Sequence, residues 1–408
     1  MPISSGDTAW ILVSSALVLL MTPGLALFYG GMARRKNLLS TIMMSFAIMG
    51  LIGIIWALWG YSLSFGTDVA SFIGGLNFLG LKNVGVEPSD IYATSVPHLA
   101  FMAFQGMFAI ITVALITGAV VERIKFSALL LFSALWVTFV YSPVCHWVWG
   151  GGWLGSLGAL DFAGGTVVHI NAGVSALALV LLLGRRKGFP GELMEANNIP
   201  MVALGAGLLW FGWFGFNAGS SLAADGLAAN AFVTTNLSAA AASFTWMVIS
   251  WLHRRPSLLG TVTGAVAGLV AITPAAGFVT PLAAIPIGMV VSIIGYYSIV
   301  LIKNRLGFDD SLDVFAVHGM GGIWGALATG IFASSAVSGI PGLFEGNGAQ
   351  VLTQFVAVIA VAAFAFIVTW ILGKLVDVTV GLRVGQAEES IGLDLSQHGE
   401  RAYGGLLR

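Results

Sequence analysis

Runs of apolar residues about as long as a bilayer is thick recur throughout this chain, and they limit its fold more than any other feature. A hydrocarbon core of about 30 Å takes roughly 20 helical residues to cross. Runs of that kind fall at residues 8–31, 39–65, 98–121, 126–148, 165–183, 200–218, 229–251, 257–273, 281–302, 312–332 and 350–373. Lipid offers the backbone no partner but itself, so each run predicts a helix. The chain is 58% hydrophobic and 9% charged, whereas soluble domains carry about a quarter charged residues. We therefore read an all-α polytopic membrane protein with eleven transmembrane helices. The first run is too long for a signal-peptide core and is expected to stay as a span.

The same composition removes several function classes. A net charge of −1 leaves no basic face for nucleic acid. Cys145 is the single cysteine, and no Cys/His cluster has the spacing of a zinc site, so neither metal nor cofactor is expected.

Lysine and arginine fall in alternate connections, as basic residues resist translocation. One set of loops carries Arg34-Arg35-Lys36, Arg123 with Lys125, Arg185-Arg186-Lys187, Arg254-Arg255 and Lys303 with Arg305, and the tail adds Arg383, Arg401 and Arg408. The other set has only Lys82. With eleven spans this places the N-terminus outside and the C-terminus inside the cytoplasmic (inner) membrane. Arg34, Arg35 and Lys36 are expected to do no more than set that topology.

Two ionisable motifs match. Asp161 precedes His169 as Asp310 precedes His318, and glycine follows each histidine four residues on, at Gly173 and Gly322. Five spans before Leu193 and five after it suggest a duplication, and an odd number of spans per half inverts the second half. The expected organisation is a first five-helix repeat over 1–193, a second over 194–340, an extra helix over 341–375 and a cytoplasmic tail over 376–408.

His169 and His318 are the sharpest chemical signals, because ionisable residues within spans are costly and usually face a bundle interior or a pathway. Ala172, Gly173 and Ala176 share a face with one, and Gly321, Gly322 and Gly325 with the other, so both helices can approach closely. The plainer alternative is two structural histidines bonded to carbonyls. Hydropathy puts His169 toward one end of its span and His318 toward the other. A pair at mid-depth therefore requires both helices to begin below the membrane surface.

Phe104, Phe108, Trp149, Phe214, Phe216 and Ser220 gather aromatic rings and a hydroxyl near the outer side. Ring faces attract cations and a hydroxyl accepts bonds from an ammonium-type donor, although an aromatic interface belt has the same composition. Asp161 has two readings, a helix cap, which we favour, and a negative charge at a cation entry. Asp310 and Asp313 have the capping explanation too. Cys145 and His146 are expected to pack near the outer surface without a nucleophilic partner.

Over essentially its whole length the chain resembles the Amt/Mep/Rh ammonium transporter family, in its prokaryotic Amt branch. The motifs that carry this are Pro23-Gly24-Leu25-Ala26-Leu27-Phe28-Tyr29-Gly30-Gly31, Val148-Trp149-Gly150-Gly151-Gly152, the run from Asp161 through His169 to Gly173, and the run from Asp310 through His318 to Gly319. Gly381-Leu382-Arg383-Val384 and His398-Gly399-Glu400-Arg401-Ala402-Tyr403 are similar to the family's cytoplasmic ending. The resemblance implies two inverted five-helix halves with an eleventh helix, and a homotrimer with a pore in each subunit. It implies ammonium recruitment by Trp149, Phe108 and Ser220 supported by Asp161, a gate of Phe108 and Phe216, and a pore lined by His169 and His318. It also implies that the tail docks a PII-type signalling protein.

Such residues suit the task physically. Ammonium and potassium are alike in size and charge, but only ammonium donates directed hydrogen bonds and can shed a proton. A dry pore makes a charge cost a few kcal/mol or more at mid-membrane, so a permeant able to become neutral passes more easily. An ion-coupled solute transporter would need a midplane cation site, which the spans lack. An ammonium sensor would be expected to carry a longer output domain than this tail, and a haem protein or membrane enzyme further ligands or acids.

Overall fold

The computed structural model describes residues 2–403; Arg408, assigned to the tail, lies outside them. Among the described residues, 10 helices are long and apolar enough to cross a membrane, and one shorter apolar helix joins them. In chain order they are α1 (Ser5–Met32), α2 (Arg35–Phe65), α3 (His98–Val120), α4 (126–148), α5 (Gly165–Leu183), α6 (Ile199–Ala218), α7 (Gly226–His253), α8 (Leu258–Ile272), α9 (Pro281–Lys303), α10 (Phe315–Phe332) and α11 (Gly348–Val380). Every run read from the sequence is helical. At 15 residues α8 reaches about 22 Å, short of a full span. The last helix continues past residue 373 to Val380, so the first residues expected in the tail are helical.

Polar side chains begin these helices by accepting backbone N–H groups that have no partner in the first turn. Ser4 accepts from Asp7, Asn198 from Met201, Asp225 from Ala228 and Ser257 from Gly260. Pro200 and Pro281 occupy first-turn positions, where a missing N–H costs nothing.

Small residues then set the packing. Helix α1 lies along α6, where a Cβ on Gly24 would stand 3.0 Å from Leu208 Cβ and one on Gly31 2.7 Å from the Asn198 carbonyl. Helix α3 packs on α5, and α8 on α10. Helices α5 and α10 meet where a Cβ on Gly173 would lie 2.5 Å from Gly319 Cα and one on Gly322 2.9 Å from the Gly165 carbonyl. That contact brings the two histidine helices together with no side chain between them.

Both histidine helices open on a π-turn, Gly165–Ile170 in α5 and Phe315–Gly319 in α10. Each continues as 13 residues of α-helix, Asn171–Leu183 and Met320–Phe332. The third residue after each capping aspartate has a positive φ, 120° at Gly164 and 64° at Asp313. Residues just before each start, Leu160 to Gly164 and Asp309 to Asp313, are largely buried and non-helical. These two helices therefore start inside the protein, as a histidine pair at mid-depth requires.

Two short antiparallel hairpins fill the connection from α2 to α3, β1 (Asp68–Val69) with β2 (Ile73–Gly74) and β3 (Pro88–Ser89) with β4 (Ala93–Pro97). At the opposite end the chain folds back after α11 into α12 (Gln386–Ile391) and α13 (Leu393–His398). Arg383 donates to the carbonyls of Leu183 at 2.7 Å and Arg185 at 2.8 Å, and to Glu389 at 2.8 Å. The Lys187 N–H donates to Glu389 at 2.6 Å, and the Ser40 N–H to Asp394 at 2.8 Å.

The basic connections do more than set topology. Buried Glu122 accepts from the Arg34 backbone N–H and Nε, both at 2.7 Å, and from Arg186 at 3.3 Å. Arg186 also pairs with Asp309 at 2.7 Å, and fully buried Arg123 donates to Ser311 and to the Asp309 carbonyl. Burial pushes the Asp309 carboxyl up, but the Arg186 and Arg123 guanidiniums outweigh it and hold it below the usual carboxylate range. Lys36 is likewise engaged, donating to the Glu389 and Ser390 carbonyls.

Candidate functional site

Trp149, Ser220, Phe216, His169 and His318 line a series of three cavities. The first, of about 330 Å³, opens at the end that carries Trp149 and is lined by Phe65, Tyr92, Gln105, Trp149, Phe162 and Ser220 among others. Trp149 is fixed through its indole, whose Nε1 donates to the Asp161 carbonyl at 2.9 Å. Ser220 donates its hydroxyl proton to the Phe216 carbonyl at 2.8 Å. With that proton committed, its oxygen can only accept from whatever enters the cavity.

Phe108 and Phe216 form the floor, their ring centroids 4.2 Å apart and both rings fully buried. Phe108 meets Trp149 edge-on at 6.0 Å and Phe104 at 4.9 Å. Phe214 does not join them; it stacks on Phe232 at 4.0 Å.

Beyond the phenylalanines lies a chamber of about 10 Å³, room for about one water. Met21, Leu25, Ile111, Leu115, Leu209 and Val266 make its walls apolar, and His169 and His318 are its polar groups apart from the Trp213 N–H. That indole is already committed to Thr273 at 2.8 Å. The two imidazoles lie with Nδ1 atoms 3.2 Å apart and rings 23° from parallel. His169 stacks on Trp213 at 5.4 Å, and its Nε2 is buried without a partner. A close Nδ1–Nδ1 contact needs one nitrogen to donate and the other to accept, so both rings in their uncharged forms satisfy it.

His318 also lines the third cavity, of about 280 Å³, which carries on toward the tail end past Tyr29, Trp246, Ser257, Thr263 and Asp313. Two wide mouths thus flank one narrow apolar chamber.

Asp161 takes the capping role. Its carboxylate accepts from the backbone N–H groups of Gly164, Gly165, Thr166 and Val167 and from the Thr166 hydroxyl, and so fixes the start of the helix that carries His169. Asp310 accepts from the Phe315 N–H at 2.7 Å in the same manner. Sequence reasoning missed two residues of this line, Gln105 and Trp213. Both are polar-tipped side chains on apolar helices near the named aromatics, and that proximity was the available signal.

No group of three or more metal-ligating side chains occurs among the described residues. A membrane-length helical bundle with wide mouths on either side of a narrow apolar chamber defines a membrane transporter of small solutes. Known proteins agree on which one. The chain belongs to the Ammonium Transporter Family, whose model matches residues 9–403, a membrane transport family and not an enzyme family. It is 52% identical to ammonium transporter Amt1 of Archaeoglobus fulgidus over 98% of this chain and 100% of that one. It is 51% identical to an ammonium transporter of Bacillus subtilis over 98% of each chain. Among solved structures, Candida albicans Mep2 superimposes with a TM-score of 0.90 at 38% identity, covering 98% of this chain and 90% of that one.

Proposed function

We propose that this chain imports ammonium across the cytoplasmic membrane, binding NH4⁺ in the Trp149 cavity and passing it onward as neutral ammonia. The observation that carries the reading is the alignment of an aromatic, acceptor-bearing mouth with a chamber too small and too apolar for a hydrated ion. In this account Trp149, Phe108 and Ser220 recruit the cation, and Asp161 supports them by holding the Trp149 indole on its carbonyl. Phe108 and Phe216 act as the gate, with deprotonation at that boundary. His169 and His318 then hand ammonia along in uncharged form, while the proton takes a separate route. Potassium has the charge but no proton to give up.

The same reading takes α8 as an eleventh span and places the N-terminus outside and the tail inside. The matching π-turns, capping aspartates and positive-φ residues support two inverted repeats over 1–193 and 194–340, with 341–375 as the added helix and 376–408 as the tail. Three copies would assemble, each with its own pore, and the tail face would receive a PII-type regulator.

Uptake and current measured together in reconstituted vesicles test the central claim. The native chain is expected to discriminate strongly against potassium. Replacing His169 and His318 with alanine should keep conduction and lose that discrimination. Equal passage of potassium and ammonium through the native chain would defeat the proposal.

A further inference from the structure

His146 lies one helical turn before Trp149, and its ring is completely buried. Its Nδ1 is 2.9 Å from the Ser64 carbonyl oxygen, and its Nε2 is 2.9 Å from Asp68 Oδ1. A carbonyl oxygen only accepts, so Nδ1 carries a proton. The Asp68 side chain is 40% exposed on the first hairpin and also accepts from the Ser71 N–H at 3.1 Å. Open to water and bonded by donors, it is an ionised carboxylate, which also only accepts, so Nε2 must carry a proton as well. Neither neutral tautomer satisfies both contacts. We propose that His146 is a standing imidazolium paired with Asp68, and that this pair is a positioning device for Trp149 at the outer mouth.

The segment around Trp149 is held from two sides. Toward Asp161, the Trp149 indole is pinned to a carbonyl. Toward the hairpin, the Trp147 indole donates to the Phe72 carbonyl at 2.8 Å and the Trp153 N–H to the Ser71 carbonyl at 3.2 Å. The Tyr92 hydroxyl donates to the Phe65 carbonyl at 2.7 Å, with the Gly150 carbonyl 3.4 Å away. A Cβ on Gly150 would come within 2.5 Å of His146 Nδ1, so the imidazole is packed directly beneath the residue that follows Trp149. Without the ion pair, the first hairpin still touches this segment through the bonds to the Phe72 and Ser71 carbonyls and the Phe72 ring, 5.4 Å from that of Trp147, but through no charged contact.

The surrounding titratable groups leave Asp68 as the partner. On the same helix the Cys145 thiol is buried. From α2 the Tyr61 hydroxyl is occupied by His98, and from the second hairpin Tyr92 is spent on carbonyls. Asp161 has its oxygens filled by four N–H groups and the Thr166 hydroxyl. The His146 bond in turn holds the Asp68 carboxyl below the usual carboxylate range, so the carboxylate half of the pair persists into acid.

Two measurements on the full chain in lipid vesicles test this, and the first is independent of the transport reading. With ¹⁵N-labelled histidine at pH 7.5, the His146 ring should show both nitrogens protonated, and Asp68→Asn should make it neutral, since an asparagine amide can donate to Nε2. One of the chain's six histidines should change state in this way, which identifies the ring even if His146→Gln does not fold. A neutral His146 in the native chain overturns the proposal. The second measurement rests on Trp149 being part of the recruitment site. At constant methylammonium ion concentration and pH 7.5, Asp68→Asn should raise KM about fivefold over the native chain with kcat unchanged. A native KM in Asp68→Asn, or a loss confined to kcat, beside a confirmed imidazolium would overturn the positioning role and leave the charge assignment standing.

Discussion

Replacing Ser220 by alanine isolates a side-chain acceptor that lines the outer cavity. The native hydroxyl spends its proton on the Phe216 carbonyl, 2.8 Å away, and so offers the cavity only lone pairs. A hydrogen bond from a charged donor contributes about 1.5–3 kcal/mol. Ser220 is half-buried and lines an open cavity, which favours the lower end. About 1.4 kcal/mol corresponds to a tenfold change in affinity. Ser220→Ala should therefore raise KM for methylammonium uptake roughly tenfold, with the saturating rate close to native, because the bond is made before the permeant reaches the phenylalanines. Ser220→Thr keeps the hydroxyl and should stay near native. Initial rates in vesicles at a clamped potential give both parameters. A KM within twofold of native, or a loss confined to the saturating rate, would refute the acceptor argument.

Three further outcomes are expected. Gly173→Val puts a Cβ 2.5 Å from Gly319 Cα and further side-chain atoms beyond it, so α5 and α10 must part; transport should be lost and Tm lowered, by about 1–3 kcal/mol of overpacking. Glu122→Gln leaves Arg34 without its carboxylate in a buried setting and should cost about 3 kcal/mol, read as a fall in Tm in detergent that salt barely changes. Asp310 is buried with one oxygen unpartnered, and burial, with Asp313 beside it, pushes its carboxyl up to about 6. In the folded chain it holds a proton that the unfolded chain has released, so native stability falls as pH rises from about 4 to 6, by up to about 3 kcal/mol. Asp310→Asn should match native in acid, gain over it across that window and stay ahead above it; thermal unfolding at pH 4 and pH 7.5 checks this.

Most of the architecture was legible because lipid imposes a one-dimensional code. Length and apolarity mark the runs, and ionisable residues inside them, His169 and His318 above all, are too costly to be incidental. The aromatic mouth was visible for a related reason, since Trp149, Phe216 and Ser220 sit at corresponding ends of their helices and Phe108 in the same half of its own. The π-turns beneath both histidines were not visible, because they change the backbone hydrogen-bond register and not the side-chain pattern. Gln105 escaped because one amide on an apolar helix has no periodic partner. Phe214 was over-read: it is two residues from Phe216, which on a helix puts it on another face. Arg34 and Lys36 were under-read, since charge counting explains where a loop lies and ignores whom its side chains hold. His146 was similarly passed over because its partner, Asp68, is distant in sequence.

The ring pair, the aromatic floor and both mouths are all furnished by one polypeptide. No residue from another copy is needed to complete any of these linings. In an assembly that mixes intact and disabled chains, flux should therefore fall in simple proportion to the disabled fraction, a direct readout of self-sufficiency.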